Sequence, residues 1–260
     1  MPFEVADDAV KWLNKNKEEY KNINGFYPED SSVFFFGGEP TLRWYDLIVP
    51  LVEKYPNEKY SITTNGYLLD KNKIDFMKEH NFSVMLSMDG DEATQNYNRK
   101  EDSFQKLDEM IPYLLQQVEN ANFRGTIIPH TCDGTFNNIC YAQSKGFKSC
   151  YFAINIFEKW SPEDKEKLEL EIKKYVIAYI SSFVNKKYLI NFTPFTNMIA
   201  LIIKNQLGLL DNNINIYKCG LGNGYAAINY KGDIYSCQEI ITSYKVNKDF
   251  CLGNIYNGID

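Results

Sequence analysis

The sequence predicts an α/β fold: a parallel sheet, open or closed into a barrel, followed by a small β-hairpin module. Three observations predict it. Short apolar runs rich in β-branched and aromatic residues recur from Val33 to Ile154, as in strands buried on both faces. Segments with apolar residues at helical spacing separate them, and such alternation favours parallel strands joined by right-handed crossovers. Near Tyr217 the pattern breaks, and Gly220, Gly222, Gly224 and Gly232 follow in a short stretch.

The elements follow in order. Residues 3–20 place Val5, Ala9 and Leu13 on one helical face, with Val10 beside them. Val33-Phe34-Phe35-Phe36 is the first strand. Thr41 is a candidate N-cap for a helix with the stripe Leu47, Ile48, Leu51, Val52 and Tyr55. Tyr60-Ser61-Ile62-Thr63 is the second strand, and Asp70 caps the next helix, which carries Ile74 and Met77. Val84-Met85-Leu86-Ser87 is the third strand, after which Asp91 and Glu92 start a helix. From Ser103 a longer helix repeats Phe104, Leu107, Ile111, Leu114, Leu115 and Val118. Gly125-Thr126-Ile127-Ile128 and Tyr151-Phe152-Ala153-Ile154 are the fourth and fifth strands. Ser161-Pro162-Glu163-Asp164 combines a cap, a proline at the first helical position and an acid three residues on, which marks a helix start. Residues 185–216 read as a helical connector. Tyr225 to Tyr230 and Ile234 to Cys237 read as a hairpin around Lys231-Gly232-Asp233. The expected organisation is a barrel-like domain over 1–184, the connector, and a small module over 217–260.

Composition narrows the function. Of 260 residues, 44% are hydrophobic and 24% charged, with 19 Tyr and 17 Phe to build a core. A net charge of -6 with no basic stripe makes a nucleic-acid partner a poor candidate. The N-terminus Met1-Pro2-Phe3-Glu4-Val5 has no secretory pattern, and no apolar stretch is long enough to span a bilayer. A cytoplasmic protein is expected, with no membrane partner. Its six cysteines are too sparse for a disulfide framework.

Parallel α/β folds gather working residues at the C-terminal ends of their strands. Gly37-Gly38-Glu39-Pro40 follows the first strand, and Thr64-Asn65-Gly66 the second. Ser87-Met88-Asp89-Gly90 ends the third, Pro129-His130 the fourth and Asn155 the fifth. Two glycines allow close backbone approach, and carbonyls with the Glu39 carboxylate can accept hydrogen bonds from a ligand ammonium group. Taken alone, the same segment reads equally well as a plain strand-to-helix turn.

With these three strand ends together, the chain resembles the radical S-adenosylmethionine (SAM) superfamily, closest to members with a C-terminal SPASM or twitch module. Sulfatase-maturing enzymes and ribosomal-peptide maturases belong to that group. The resemblance implies that Gly37, Gly38 and Glu39 receive the SAM amino group. It implies that Asn65, Ser87 and Asp89 surround the ribose and methionine parts. An arginine then pairs with the SAM carboxylate, and Arg99 and Arg124 both match, since a guanidinium donates two parallel hydrogen bonds. Each also reads as a plain surface cation. The spacing Cys219, Gly232, Cys237 resembles the opening of the SPASM pattern, which implies that both cysteines ligate an auxiliary [4Fe–4S] cluster. Two idle thiols across a hairpin, or a zinc site, use the same residues. Cys132, Cys140 and Cys150 are too widely spaced for a cluster motif, Cys251 reads as a bystander, and His130 reads as a substrate contact or an ordinary surface histidine.

The family signature CxxxCxxC is absent, because no cysteine precedes Cys132. The expected fold is therefore a partial (β/α)6 barrel lacking its first strand, followed by a shortened module, in a chain cut at both ends. The resemblance implies a peptide or protein substrate, SAM and [4Fe–4S] clusters in the intact parent, and a flavodoxin- or ferredoxin-type electron donor. Three readings stay open: a fragment of a peptide or protein maturase, a sulfatase-maturing enzyme forming formylglycine, and a non-catalytic remnant that binds SAM or peptide. An unrelated αβ barrel leaves the cysteine spacing unexplained.

Overall fold

The computed structural model describes residues 1–24, 32–99, 103–208, 225–242 and 250–259. Strands β1 (Ser32–Phe35), β2 (Lys59–Thr64), β3 (Ser83–Ser87), β4 (Asn120–Ile127), β5 (Ser149–Ile154) and β6 (Asn191–Phe192) form one sheet in the order β1-β2-β3-β4-β5-β6. The pairs β1–β2, β3–β4, β4–β5 and β5–β6 are parallel. Strands β7 (Ala227–Ile228), β8 (Asp233–Tyr235), β9 (Cys251–Asn254) and β10 (Gly258–Ile259) form a second, antiparallel sheet. The α/β sheet followed by a small β module is the expected architecture. The chain divides into two compact units, Met1–Ile62 with Asn212–Asp260, and Thr63–Asp211. Among the described residues no helix is long and apolar enough to cross a membrane.

In the first unit, α1 (Phe3–Asn24) packs near α2 (Val49–Lys54) through a buried carboxylate. Asp7 accepts from Tyr55 Oη at 2.7 Å and pairs with Lys11 at 2.8 Å and Lys54 at 2.6 Å. Burial raises its pKa, but these three donors together outweigh burial and hold the carboxyl well below the usual range. Phe35 on β1 stacks on Tyr60 of β2 at 5.9 Å, and the Tyr60 hydroxyl donates to Tyr55 O. The expected cap at Thr41 is corrected. Glu39 is the cap of a 3-10 turn, Pro40–Arg43, and accepts from Thr41 N at 3.1 Å. Pro40 has no N–H, so Thr41 offers the first free donor, and a glutamate reaches it. A π-helical turn, Trp44–Ile48, leads into α2.

In the second unit, α3 (Lys71–Glu79) starts at the expected cap, Asp70, which accepts from Lys73 N at 2.9 Å. Helices α4 (Glu92–Asn98), α5 (Ser103–Gln117) and α6 (Thr135–Ser144) follow. The capping box at Ser161 and Asp164 opens α7 (Pro162–Asn185). Phe123 on β4, with no exposure, packs against Tyr141, Phe147 and Phe152. This is the sheet face that the helices cover. Within the stretch read as a connector, Asn191–Phe192 forms β6 before α8 (Thr193–Gln206). The buried Tyr175 hydroxyl fixes it, donating to Ile190 O at 2.9 Å and accepting from Phe192 N at 3.1 Å. In the C-terminal module β8 is followed by the short helix α9 (Gln238–Thr242).

Candidate functional site

The first unit holds Gly37, Gly38 and Glu39. Gly37 has φ +152, and a Cβ at Gly37 or Gly38 would meet nothing within 4 Å. The backbone there is open to a ligand, as a glycine pair at a strand end permits. The Glu39 carboxylate is engaged with Thr41, so one of its oxygens already has a role as a helix cap.

The β3–α4 turn of the second unit brings two of the predicted residues together. Asp89 is buried and accepts from Arg99 Nε at 2.9 Å and Nη2 at 3.2 Å, a two-point charged pair. Its Oδ1 also accepts from Thr126 N at 2.7 Å, which ties the turn to β4. Asp89 N donates to Gln95 Oε1 at 2.7 Å, and the buried Gln95 passes a hydrogen bond on to Ser103 Oγ at 3.3 Å. Gly90, at φ +147, lies over Asn138, whose Oδ1 accepts from Asp91 N at 3.1 Å and Thr94 Oγ1 at 3.2 Å. Gln95 and Asn138 were not singled out by sequence. Neither lies at a strand end, and a buried amide leaves no periodic signal.

Ser87 and Arg124 are brought together differently, by register. Ser87 on β3 pairs with Arg124 on β4, which pairs with Tyr151 on β5. Side chains alternate along a strand, so this row lies on the face opposite Phe123 and Phe152. Ser87 is 6% exposed, and its hydroxyl has no hydrogen-bond partner among the described residues. Arg124 likewise has no carboxylate partner among them. On β2, Thr63 Oγ1 is buried without a hydrogen bond among the described residues, which costs about 1–3 kcal/mol unless something else satisfies it. Asn65 forms a local turn, accepting from Tyr67 N at 2.9 Å. His130 stacks on Tyr97 at 4.0 Å, and both are exposed.

In the second unit, Ser87 and Arg124 offer a hydroxyl and a guanidinium with no partner among the described residues, which fits a ligand carboxylate; in the first unit, the Gly37–Gly38 backbone is open to a ligand. Cys219 lies outside the described residues. Glu239 N donates to Cys237 Sγ at 3.4 Å, and Cys251 Sγ lies 3.2 Å from Gly253 O. Among the described residues no group of three or more His, Cys, Asp or Glu could hold a metal ion. Cys132 and Cys150 are buried, and burial pushes the Cys150 thiol up to about 12, as befits core residues.

The sequence model of the Radical SAM superfamily matches residues 10–172. A cysteine-type anaerobic sulfatase-maturating enzyme of Clostridium perfringens is 27% identical over 241 residues, which cover 86% of this chain and 62% of that relative. Native anSMEcpe with bound AdoMet and Cp18Cys peptide superposes with a TM-score of 0.72 at 24% identity, over 100% of this chain and 71% of that one. Streptococcus suis SuiB bound to precursor peptide SuiA gives a TM-score of 0.61 at 17% identity, over 94% of this chain and 54% of that one. The two structural likenesses show the fold. The sequence match, spanning well over half of the residues, shows the family: the chain belongs to the radical SAM superfamily.

Proposed function

We propose that this chain supplies the SAM-binding part of a radical enzyme that modifies a peptide or protein. SAM, when reductively cleaved at an iron–sulfur cluster, supplies a 5′-deoxyadenosyl radical that abstracts hydrogen. The observation that carries the reading is the row Ser87–Arg124, a hydroxyl and a guanidinium on one sheet face that have no partners among the described residues. Donors that no internal group engages are available to a ligand carboxylate, and a hydrogen bond to a charged group is among the stronger ones.

The two arginines receive different roles. Arg124 takes the SAM carboxylate, with Ser87 beside it. Arg99 already holds Asp89 at two points, so it acts through the turn as a positioning residue. Gly37, Gly38 and Glu39 serve the amino group, and Asn65 and Asp89 stay on the ribose and methionine side. A flavodoxin- or ferredoxin-type donor and a cytoplasmic setting belong to the same proposal. No step is assigned to Cys219 or Cys237, because Cys219 lies outside the described residues. A second reading, formylglycine formation on a sulfatase, is favoured by the Clostridium perfringens relative.

The test is calorimetric titration of the chain with SAM. Arg124→Ala should weaken binding about tenfold or more, the worth of a lost charge-assisted pair, with the melting temperature little changed. Arg99→Ala should lower the melting temperature first. Wild-type affinity in Arg124→Ala would sink the proposal.

A further inference from the structure

The row that holds Ser87 and Arg124 has a third member with no assigned role. Tyr151 stands in register with Arg124 on the neighbouring strand, on the same sheet face. It is 42% exposed, and its hydroxyl has no hydrogen-bond partner among the described residues. The rows to either side behave differently. Toward the strand starts, Met85 pairs with Asn122, and Ser149 Oγ donates to Asn122 Oδ1, so the polar groups satisfy each other. Toward the strand ends, Thr126 pairs with Ala153, which carries no polar group. Only the middle of these three rows presents a hydroxyl, a guanidinium and a phenol that all lack partners among the described residues.

The chemistry of the three groups is complementary to a carboxylate. Each donates hydrogen bonds, and none carries negative charge at neutral pH. Arginine and tyrosine reach similar distances from the sheet, while serine stops near its floor. A carboxylate resting on Ser87 therefore meets a guanidinium on the next strand and a phenol beyond it. We infer that Tyr151 is a third donor to the ligand carboxylate and that the row Ser87–Arg124–Tyr151 selects ligands bearing that group. This rests on the SAM reading above and deepens it, adding a specificity residue on β5 that neither the strand-end pattern nor the family resemblance points to.

Tyr151→Phe removes only the hydroxyl from a half-exposed ring, so folding is not at risk, and a thermal melt checks it. The chain and the variant are titrated with SAM and with decarboxylated SAM, which keeps the sulfonium and amine but lacks the carboxylate. The expected result is about a fivefold to tenfold weaker binding of SAM by Tyr151→Phe, as for one hydrogen bond to a charged group. Binding of decarboxylated SAM should be equal in both proteins. Undiminished SAM binding in Tyr151→Phe overturns the inference, and so does an equal loss for both ligands. If Arg124→Ala loses SAM while Tyr151→Phe keeps it, the inference fails and the SAM reading stands. If the unmodified chain binds no SAM, both fall.

Discussion

Asp89 shows how one carboxylate can organise a turn. It gathers the Arg99 guanidinium and Thr126 N, while its own N–H is held by Gln95. Asp89→Ala would leave Arg99 and Thr126 N without their acceptor. We expect a loss of about 2–3 kcal/mol, below the full value for a dry pair because Arg99 keeps partial contact with water. Urea titration checks it, and a loss under 1 kcal/mol would mean that water replaces the pair. At Gly90 a Cβ would fall 2.0 Å from Asn138 Oδ1, with the backbone in a region that disfavours side chains. Gly90→Ala should therefore cost about 1–3 kcal/mol, read from the same titration. The motif Ser87-Met88-Asp89-Gly90 was legible in the sequence because it ends a strand. That Asp89 faces Arg99, and Ser87 faces Arg124, was not legible, because register and the bend of a turn have no one-dimensional signature.

Helix starts were the most legible elements, since capping needs specific side chains at fixed offsets. Asp70, Asp91 and Ser161 each accept the expected backbone hydrogen bond. Thr41 failed for a local reason, the missing N–H of Pro40, which shifted the cap to Glu39. Strand β6 has only two residues, Asn191–Phe192, and is held by the Tyr175 hydroxyl from α7, so no pattern within 185–216 could announce it. The join between α1 and α2 gives a pH prediction. Asp7 has a folded pKa below its ordinary value of 3.8, so its contribution is complete above that value and is lost as pH falls toward the folded pKa. Stability of the unmodified chain should decline below about pH 4 more steeply than that of Asp7→Asn. Parallel declines in acid denaturation would show that Asp7 does not link α1 to α2 in this way.

At the scale of the molecule, β1 ends the strand order and has β2 as its one neighbour among the described residues. An unpaired strand edge invites pairing with another chain. Sedimentation should show concentration-dependent association, and Phe34→Lys on β1 should reduce it, since a charge on an edge strand opposes pairing. Chemistry sets a second expectation. No cysteine precedes Cys132, so the CxxxCxxC signature is absent from this sequence. Anaerobic treatment with iron, sulfide and a chemical reductant should therefore release no 5′-deoxyadenosine from SAM, and release of that product would contradict the expectation. The contact of Gly90 with Asn138 also binds two distant stretches of sequence, the end of β3 and the middle of α6. Selection cannot treat the two positions separately: a methyl group at one demands a smaller side chain at the other, which in turn forfeits the acceptor for Asp91 N and Thr94. Across relatives the pair should covary, and a lineage that has lost the glycine should have lost the asparagine with it.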